Sequence, residues 1–487
     1  MTFYFYDLET SGINPRAQRI MQFAGQRTDE NFNPIGDPQN WLVRLTDEIL
    51  PDPDAIVLTG ITPQKTLEEG YSEAEFLALL TEQVLQPDTI ILGFNTIRFD
   101  DEFMRATLWR NFYDPYEWQW QDGRSRWDLL DVVRMVRALR PEGIKWPTEN
   151  YKGKKVATNR LELLTKANGL DHENAHDALN DVYATIAIAR LLKEKQPKMF
   201  DYLLGMRDKN KVKQLVQGDD PQPFLYCSGR YSTQWDKTTA VVAVGETDNG
   251  GFLVYDLRQD PTELASLDDE ELIQKAFSRN EETEILAVKC MKVNCCPAVA
   301  PLGVLDDSSQ KRLGLTQQMI ERNFNALRKL PGFTERISAL YEKDQLDRKA
   351  KYKSQTDPDY QMYDGFVGDS DKTKMRAVRA ADVNSLADLT LDFSDERLEK
   401  ILLRYKARNY PKSLNESERE NWEAYRSERV IRGMPGQLSL EQFAKRISEL
   451  SVTRSSDEEA QFLLEELQLY AESIAPVPEE QWKILNF

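Results

Sequence analysis

The apolar pattern of this chain changes texture twice, and that limits what it can fold into more than any other feature. Over residues 1–195 strand-like and helix-like segments alternate. TFYFYDLE is a short aromatic strand, and RIMQFAGQRTD and NWLVRL read as two more. The short gaps between these three favour antiparallel pairing. SEAEFLALLTEQVL has helical spacing and leads into a buried strand, DTIILGFN. DDEFMRATLWRNF, DLLDVVRMVRALR, NRLELLTKAN and DALNDVYATIAIARLLKEK are amphipathic helices, so this part is α/β with a mixed sheet. From Phe224 to Leu305 the text turns to β in PFLYCSGRY, TTAVVAV, GGFLVYDLR and EILAVKCMKV, which predicts a small barrel-like domain. Helical text, GLTQQMIERNFNALRKL, follows it. Beyond KYKSQTDPDYQ the chain is helical as far as EEAQFLLEELQLYAESI. Boundaries near Pro197 and Lys351 divide the chain into 1–195, 196–350 and 351–487, consistent with 487 residues being too many for one core.

Composition narrows the function. No run of about 18 apolar residues exists, so no membrane-spanning helix is expected. The chain begins directly on a strand, without the pattern of a signal peptide. Its four cysteines, Cys227, Cys290, Cys295 and Cys296, fit a reducing cytoplasm. CMKVNCCP offers three thiols, but both histidines lie in another domain, so reduced, partly buried cysteines are favoured over a zinc site. No apolar heptad marks a dimer seam, and a monomer is expected. The formal net charge of −18 argues against a nucleic-acid partner unless Lys and Arg cluster locally. They do so in RDKNKVK (Arg207–Lys213), in RKAKYK around Lys351 and in RYKARN around Lys406. One such run is usually a solvated face; three flanking one domain can line a groove.

Asp7 and Glu9 end the first strand, and residues i and i+2 of a strand face the same side. Two carboxylates that close repel, so either the strand turns into solvent or a hard divalent cation sits between them. Asp100 and Asp101 follow a second buried strand at the start of a helix, where an aspartate also serves as N-cap. Asp177 can cap the helix of HDALND, and Asp181 lies one turn further on the same face. The only two histidines, His172 and His176, precede that helix.

DLETSG, NTIRFDDE and HDALND resemble the three motifs of the DEDDh (DnaQ-like) 3′→5′ exonucleases. The resemblance is closest to the bacterial exonuclease I family. It extends through FYDPYEWQWQDGRSRWDLLDV, ALRPEGIKWP, QPKMFDYL, CCPAVAPLGVL, YDGF and RYKARNYP, and is weakest between Gln234 and Glu284 and at the C-terminus. It implies a ribonuclease H-like exonuclease domain, then an SH3-like β-barrel domain, then an all-α C-terminal domain, the last two arching over the cleft. Two divalent cations about 3.5–4 Å apart would clamp the attacking and leaving oxygens of a phosphodiester. By resemblance Asp7, Glu9, Asp100 and Asp181 hold them, Asp100 being chosen over Asp101 and Asp181 over Asp177. The ions are expected to be Mg²⁺, with Mn²⁺ able to substitute. His176 fills the family's general-base position, for which an imidazole is suited near neutral pH.

The implied reaction is processive degradation of single-stranded DNA from its 3′ end to 5′-mononucleotides, in repair and recombination. Glu9, Arg105, Tyr116, Trp120, Arg134, Arg160, Tyr202 and Lys209 match positions that touch the strand or line its cleft. Single strands are held by aromatic platforms beside a basic track, and roughly half of the aromatics near Tyr116 are expected in the core instead. The family also binds the acidic, Phe-ending tail of single-stranded DNA-binding protein. Arg328 matches that pocket, whereas Gln222 and Pro301 depart from it. Two rival readings are an RNA-trimming or proofreading exonuclease, whose chains are usually much shorter, and a catalytically silent scaffold, which would be expected to lack a ligand that is present here.

Overall fold

The computed structural model describes residues 1–151, 153–170, 177–218, 220–277, 287–351 and 355–476. Its first strand, β1 (Thr2–Thr10), is apolar on both faces because both are covered. Phe3 and Phe5 join a core with Ala24, Ile90, Leu92 and Trp127, and with Val182 and Ile186 of the Ala178–Lys195 helix. Tyr4, Tyr6 and Leu8 pack on the opposite side with Phe23, Ile91 and Phe76, and with Phe103 and Met104 of the Asp100–Arg110 helix. The sheet has the order β3-β2-β1-β4-β5, with β2 (Ile20–Thr28), β3 (Gln39–Leu42), β4 (Thr89–Gly93) and β5 (Ser125–Asp128). β1, β2 and β3 pair antiparallel, whereas β4 and β5 run parallel to β1, so the sheet is mixed as the pattern predicts. β5 gives no strand signal in the sequence, because four residues including Arg126 show no useful alternation. A hairpin of β6 (Thr148–Tyr151) and β7 (Lys154–Ala157) stands apart from this sheet.

The SH3-like unit is an antiparallel sheet in the order β11-β10-β9-β8-β12. Its strands are β8 (Phe224–Cys227), β9 (Thr238–Glu246), β10 (Phe252–Asp256), β11 (Val288–Met291) and β12 (Val299–Pro301). The region is not β throughout, as its text suggests. Two helices, Pro261–Ala265 and Asp269–Phe277, lie between β10 and β11. The first starts because the Asp260 carboxylate caps it by accepting from the Thr262 N–H, with Pro261 in the opening turn, and the second buries Leu272 and Ala276 one turn apart. Leu225, Ala240, Val242 and Tyr255 continue the core that holds Phe3 and Phe5. The barrel and the nuclease sheet therefore share one apolar interior.

The last unit is helical, with major helices Asp369–Ala380, Glu396–Asn409, Glu416–Arg432, Leu440–Thr453 and Glu458–Ile474. It meets the nuclease unit along two apolar seams. Trp109 and Phe112 pack with Met362, Met375, Phe393 and Tyr405. Met21, Leu45, Ile49 and Ile56 pack with Phe443, Ile447, Leu467 and Tyr470. A buried ion-pair network also joins the two units. Glu48 accepts from Arg19 and Arg408, both at 2.9 Å, Asp359 lies 2.7 Å from Arg408, and Glu73 lies 2.7 Å from Arg110. This corrects one expectation: RYKARN does not line a groove. Arg404, Lys406 and Arg408 are buried and paired with Asp357, Glu418, Glu48 and Asp359. Charges in a low-dielectric interior must be paired, and these basic residues are the partners of buried carboxylates.

Candidate active site

The odd-numbered face of β1 carries Phe3 and Phe5 into the core and then presents Asp7 and Glu9 at the strand's end. The pairing with β2 becomes irregular between Glu9 and Thr10, which ends the regular ladder beside the two carboxylates. The Ala178–Lys195 helix packs on this face and brings Asp181 to them. Carboxylate oxygens of Asp7, Glu9 and Asp181 all lie within 4.8 Å of one another. Among the described residues this is the only group of three or more His, Cys, Asp or Glu side chains close enough to share an ion. Asp177 caps the helix, its carboxylate accepting from the Leu179 N–H at 3.1 Å and from Gln22 Nε2 at 3.3 Å.

Asp100 reaches the site from the other strand, β4. It is outside the mutually close set, yet it is the charged neighbour that acts most strongly on Asp7. Neither Asp100 nor Asp101 caps its helix; that position is Phe99, without a side-chain hydrogen bond. Asp101 has a different task. It accepts from Tyr6 Oη at 2.6 Å and from Gln119 Nε2 at 3.3 Å, and it is paired with Arg126. Asp128, at the end of β5, accepts from the backbone N–H groups of Asn95 at 3.0 Å, Ile97 at 3.1 Å and Leu130 at 2.9 Å. It thereby fixes the turn that delivers Asp100, in which Asn95 takes the left-handed conformation (φ 71°). Burial pushes the Asp128 carboxyl up to about 6.

The electrostatics are those of a site built for positive charge. Burial raises the Asp7 carboxyl well above its ordinary value, and Asp100, Glu9 and Asp181 raise it further. Burial, with Asp181 and Asp177, pushes Glu9 up to about 8. Clustered carboxylates hold protons in this way when nothing neutralises them, and oxygen-only donors suit Mg²⁺ or Mn²⁺. The donor set fits divalent cations. His176, expected beside it, and His172 lie outside the described residues.

Of the aromatics near Tyr116, Trp109, Phe112, Trp118 and Trp127 are core residues, whereas Tyr116 is half-buried and Trp120 is 60% exposed. Arg105 pairs with Glu102 at 2.6 Å, hydrogen-bonds Gln119 at 2.9 Å and stands 5.7 Å over the Tyr116 ring. The sequence reading missed two neighbours from the helical unit, Tyr363 and Phe366. The Tyr363 hydroxyl donates to Glu102 at 2.5 Å, and Phe366, 86% exposed, meets Tyr116 edge-on at 5.7 Å. The exposed YDGF segment was the available signal. Arg134 pairs with Asp131 at 2.6 Å, and Arg160 is exposed and pairs with Glu162 at 2.7 Å. Tyr202 packs against the main core, its buried hydroxyl without a hydrogen-bond partner. Lys209 is exposed at the start of the Lys209–Val216 helix. Of RKAKYK, Arg348 alone has a described side chain, and it pairs with Asp344 at 2.7 Å; the side chains of residues 349–351 and residues 352–354 lie outside the described residues.

Arg328 lines a cavity of about 570 Å³ with Val216, Phe252, Phe324, Leu327 and Leu330. It pairs with Asp220 at 3.3 Å, and Gln222 donates to the same Asp220 at 2.9 Å. Pro301 is exposed on β12. All four cysteines are free thiols. No helix among the described residues is long and apolar enough to cross a membrane.

A mixed sheet that gathers carboxylates from β1, the turn after β4 and a following helix defines a divalent-metal-dependent exonuclease. Three family models match the chain: Exonuclease over residues 4–189, Exonuclease I SH3-like domain over 207–343, and Exonuclease I C-terminal domain over 356–474. The chain is 38% identical over 478 residues to exodeoxyribonuclease I of Escherichia coli (strain K12), covering 97% of this chain and 98% of that one. The solved E. coli exonuclease I in complex with a dA16 oligonucleotide superposes with a TM-score of 0.90 at 37% identity, covering 97% and 100% of the two chains. A solved SSB/exonuclease I structure with the inhibitor CFAM gives 0.87 at 37% identity, covering 97% and 99%. The chain belongs to the exonuclease I family and is an exodeoxyribonuclease.

Proposed function

We propose that this enzyme hydrolyses single-stranded DNA processively from its 3′ end and releases 5′-mononucleotides. The observation that carries this reading is the convergence of Asp7, Glu9 and Asp181 within 4.8 Å, with Asp100 acting on Asp7. Asp7, Glu9, Asp100 and Asp181 hold the metal, with Mg²⁺ as the working ion and Mn²⁺ as a substitute. Two such ions, when bound, supply charge for the attacking and leaving oxygens. Glu9 also faces the terminal nucleotide, and His176 takes the proton of the attacking water. Arg105, Tyr116, Trp120, Arg134, Arg160, Tyr202 and Lys209 guide the strand; the exposure of Trp120 and the Arg105–Tyr116 stack favour this role. The dA16 complex of the E. coli relative supports the choice of substrate.

The units 1–195, 196–350 and 351–487 then act as nuclease, SH3-like wall and helical arch of a monomer working in the cytoplasm, in DNA repair and recombination. The cavity beside Arg328 takes the acidic tail of single-stranded DNA-binding protein, a reading favoured by the solved SSB/exonuclease I structure. The deciding experiment follows 5′-labelled single-stranded DNA beside duplex and RNA of the same sequence. Shortening of the single strand with Mg²⁺ and none with EDTA is expected. Cleavage that persists in EDTA overturns the reading.

A further inference from the structure

β5 holds Asp100 from both sides. Asp128 fixes the turn before it, through the backbone N–H groups of Asn95 and Ile97. Arg126, two residues earlier and so on the same face of the strand, fixes the residue after it, pairing through Nη1 with Asp101. The helix that begins at Asp100 has no side-chain hydrogen bond at its cap, Phe99, so its first turn is not secured locally. Asp101 secures it instead, through Arg126, the Tyr6 hydroxyl and Gln119. Tyr6 precedes Asp7 on β1, so this buried carboxylate ties the start of the helix to the strand that carries Asp7.

Arg126 is in turn held by the SH3-like unit. Among the described residues CMKVNCCP forms no metal site, and its VNCC turn has another use. β5 is the edge strand of the nuclease sheet, and this turn lies against it. Arg126 Nη2 donates to the Asn294 carbonyl at 2.7 Å and stands 3.8 Å from Cys295 Sγ. Cys296, in the left-handed conformation (φ 46°), donates its S–H to the Arg126 carbonyl at 3.1 Å. Burial pushes the Cys296 thiol up to about 12, although Arg126 lowers it, so it remains a donor. One turn therefore grips Arg126 at both its backbone and its guanidinium. The forked guanidinium serves Asp101 and Asn294 at once, which the single ammonium of a lysine does not. Asp101 is buried, so it needs this cation to stay in place.

We propose that Arg126 is a positioning residue for the reaction: gripped by the Asn294–Cys296 turn of the SH3-like unit, it sets the orientation of Asp101 and thereby of Asp100. The proposal rests on the reading of Asp100 as a metal ligand. It adds a route, through Asp101 and Arg126, by which the SH3-like unit shapes the metal site. The nuclease unit supplies the carboxylates, and the docked barrel keeps one of them in line. Gln119 extends the same frame, since it donates to Asp101 at 3.3 Å and accepts from Arg105 at 2.9 Å.

The test measures kcat and KM of the full chain on a 5′-labelled oligodeoxythymidylate at saturating Mg²⁺, and binding of the same strand in EDTA. Arg126→Lys keeps a cation for Asp101 but does not also hold the Asn294 carbonyl. It is expected to lower kcat by about 10–100-fold, the usual effect of losing the support of a metal ligand. KM and the affinity in EDTA should stay at their wild-type values, which separates positioning from strand binding. Cys296→Ala should lower kcat about two- to tenfold, the worth of one hydrogen bond, and Cys296→Ser, which keeps a donor, should restore it. A folded Arg126→Lys with wild-type kcat overturns the proposal, and so does a loss carried by KM and the EDTA affinity alone. If Arg126→Lys does not fold, the Cys296 pair decides, and equal kcat in its Ala and Ser variants overturns the proposal. Asp100→Asn separates this from the metal reading: wild-type kcat there removes both, whereas its loss beside a wild-type Arg126→Lys removes the positioning role alone.

Discussion

Asp7 and Glu9 are unstable neighbours in the metal-free protein, and that instability is testable. Burial and mutual repulsion raise both carboxyls. A carboxyl whose folded value lies above its unfolded one stabilises the fold at low pH, and that contribution is lost as pH rises. For Glu9 the window runs from about 4.5, its ordinary value, through about 8. Metal-free protein should therefore lose thermal stability across this range, and Mg²⁺ should restore it. The midpoint Mg²⁺ concentration, read from thermal shifts, should fall as pH rises from 6 to 8, because cations and protons compete for the same oxygens. Asp7→Asn should lower kcat by at least about a thousandfold, about 4 kcal/mol of barrier. In EDTA, at a pH high enough to ionise both carboxyls, the same variant should melt higher than wild type, because it removes one repelling charge. Asp101 looks like a ligand in sequence but holds Tyr6, Gln119 and Arg126. Asp101→Asn should reduce activity by about 10–100-fold, the range for a residue that supports ligands, with Mg²⁺ binding retained.

At the scale of elements, β1 explains itself by its period. Its odd residues run from the core to the clustered carboxylates Asp7 and Glu9, and its even residues are tyrosines and a leucine against the opposite layer. The Asp100–Arg110 helix has a comparable double use. It begins at the site with Asp100, and Arg105, five residues on and so about 7.5 Å along the axis, stands over the Tyr116 ring. On the proposed roles, a single strand lying along this helix would meet the metal-binding carboxylates first and the stacking rings next. Trp120→Ala should weaken oligonucleotide binding by about 1–3 kcal/mol, the usual worth of one stacked base. Anisotropy titrations in EDTA measure this directly, and an unchanged affinity would place Trp120 off the path of the strand.

For the whole molecule, the nuclease unit is the hub. It shares a core with the barrel on one side and two apolar seams with the helical unit on the other. The ion-pair network between those seams makes the assembly acid-sensitive. Burial alone would raise Glu48, but Arg408, Arg19 and Arg429 outweigh it and hold the carboxyl at about 2. Its folded value is below its unfolded one, so the stability it contributes is present above about 4.5 and lost as pH falls towards 2. Glu48→Gln should flatten the acid side of a stability–pH curve measured by denaturant melts. Arg408→Met removes the partner of both Glu48 and Asp359 and should destabilise by about 3–5 kcal/mol, since it leaves buried carboxylates uncompensated.

The sequence alone determined the pieces that depend on local period and turn chemistry. These include the aromatic strand with its two carboxylates on one face, the Asp177 cap, the mixed sheet, and the helical character of the last unit. Motif resemblance separated Asp100 from Asp101, a distinction that spacing leaves open. What only the tertiary structure decided is which charges meet. RYKARN reads as a surface track and is buried among Asp357, Asp359, Glu48 and Glu418, and Arg98 and Arg134, from two different segments, meet on the single carboxylate of Asp131. Local pattern encodes which side of an element is apolar. A long-range ion pair depends on distant segments being folded against one another, and no period along the chain records it.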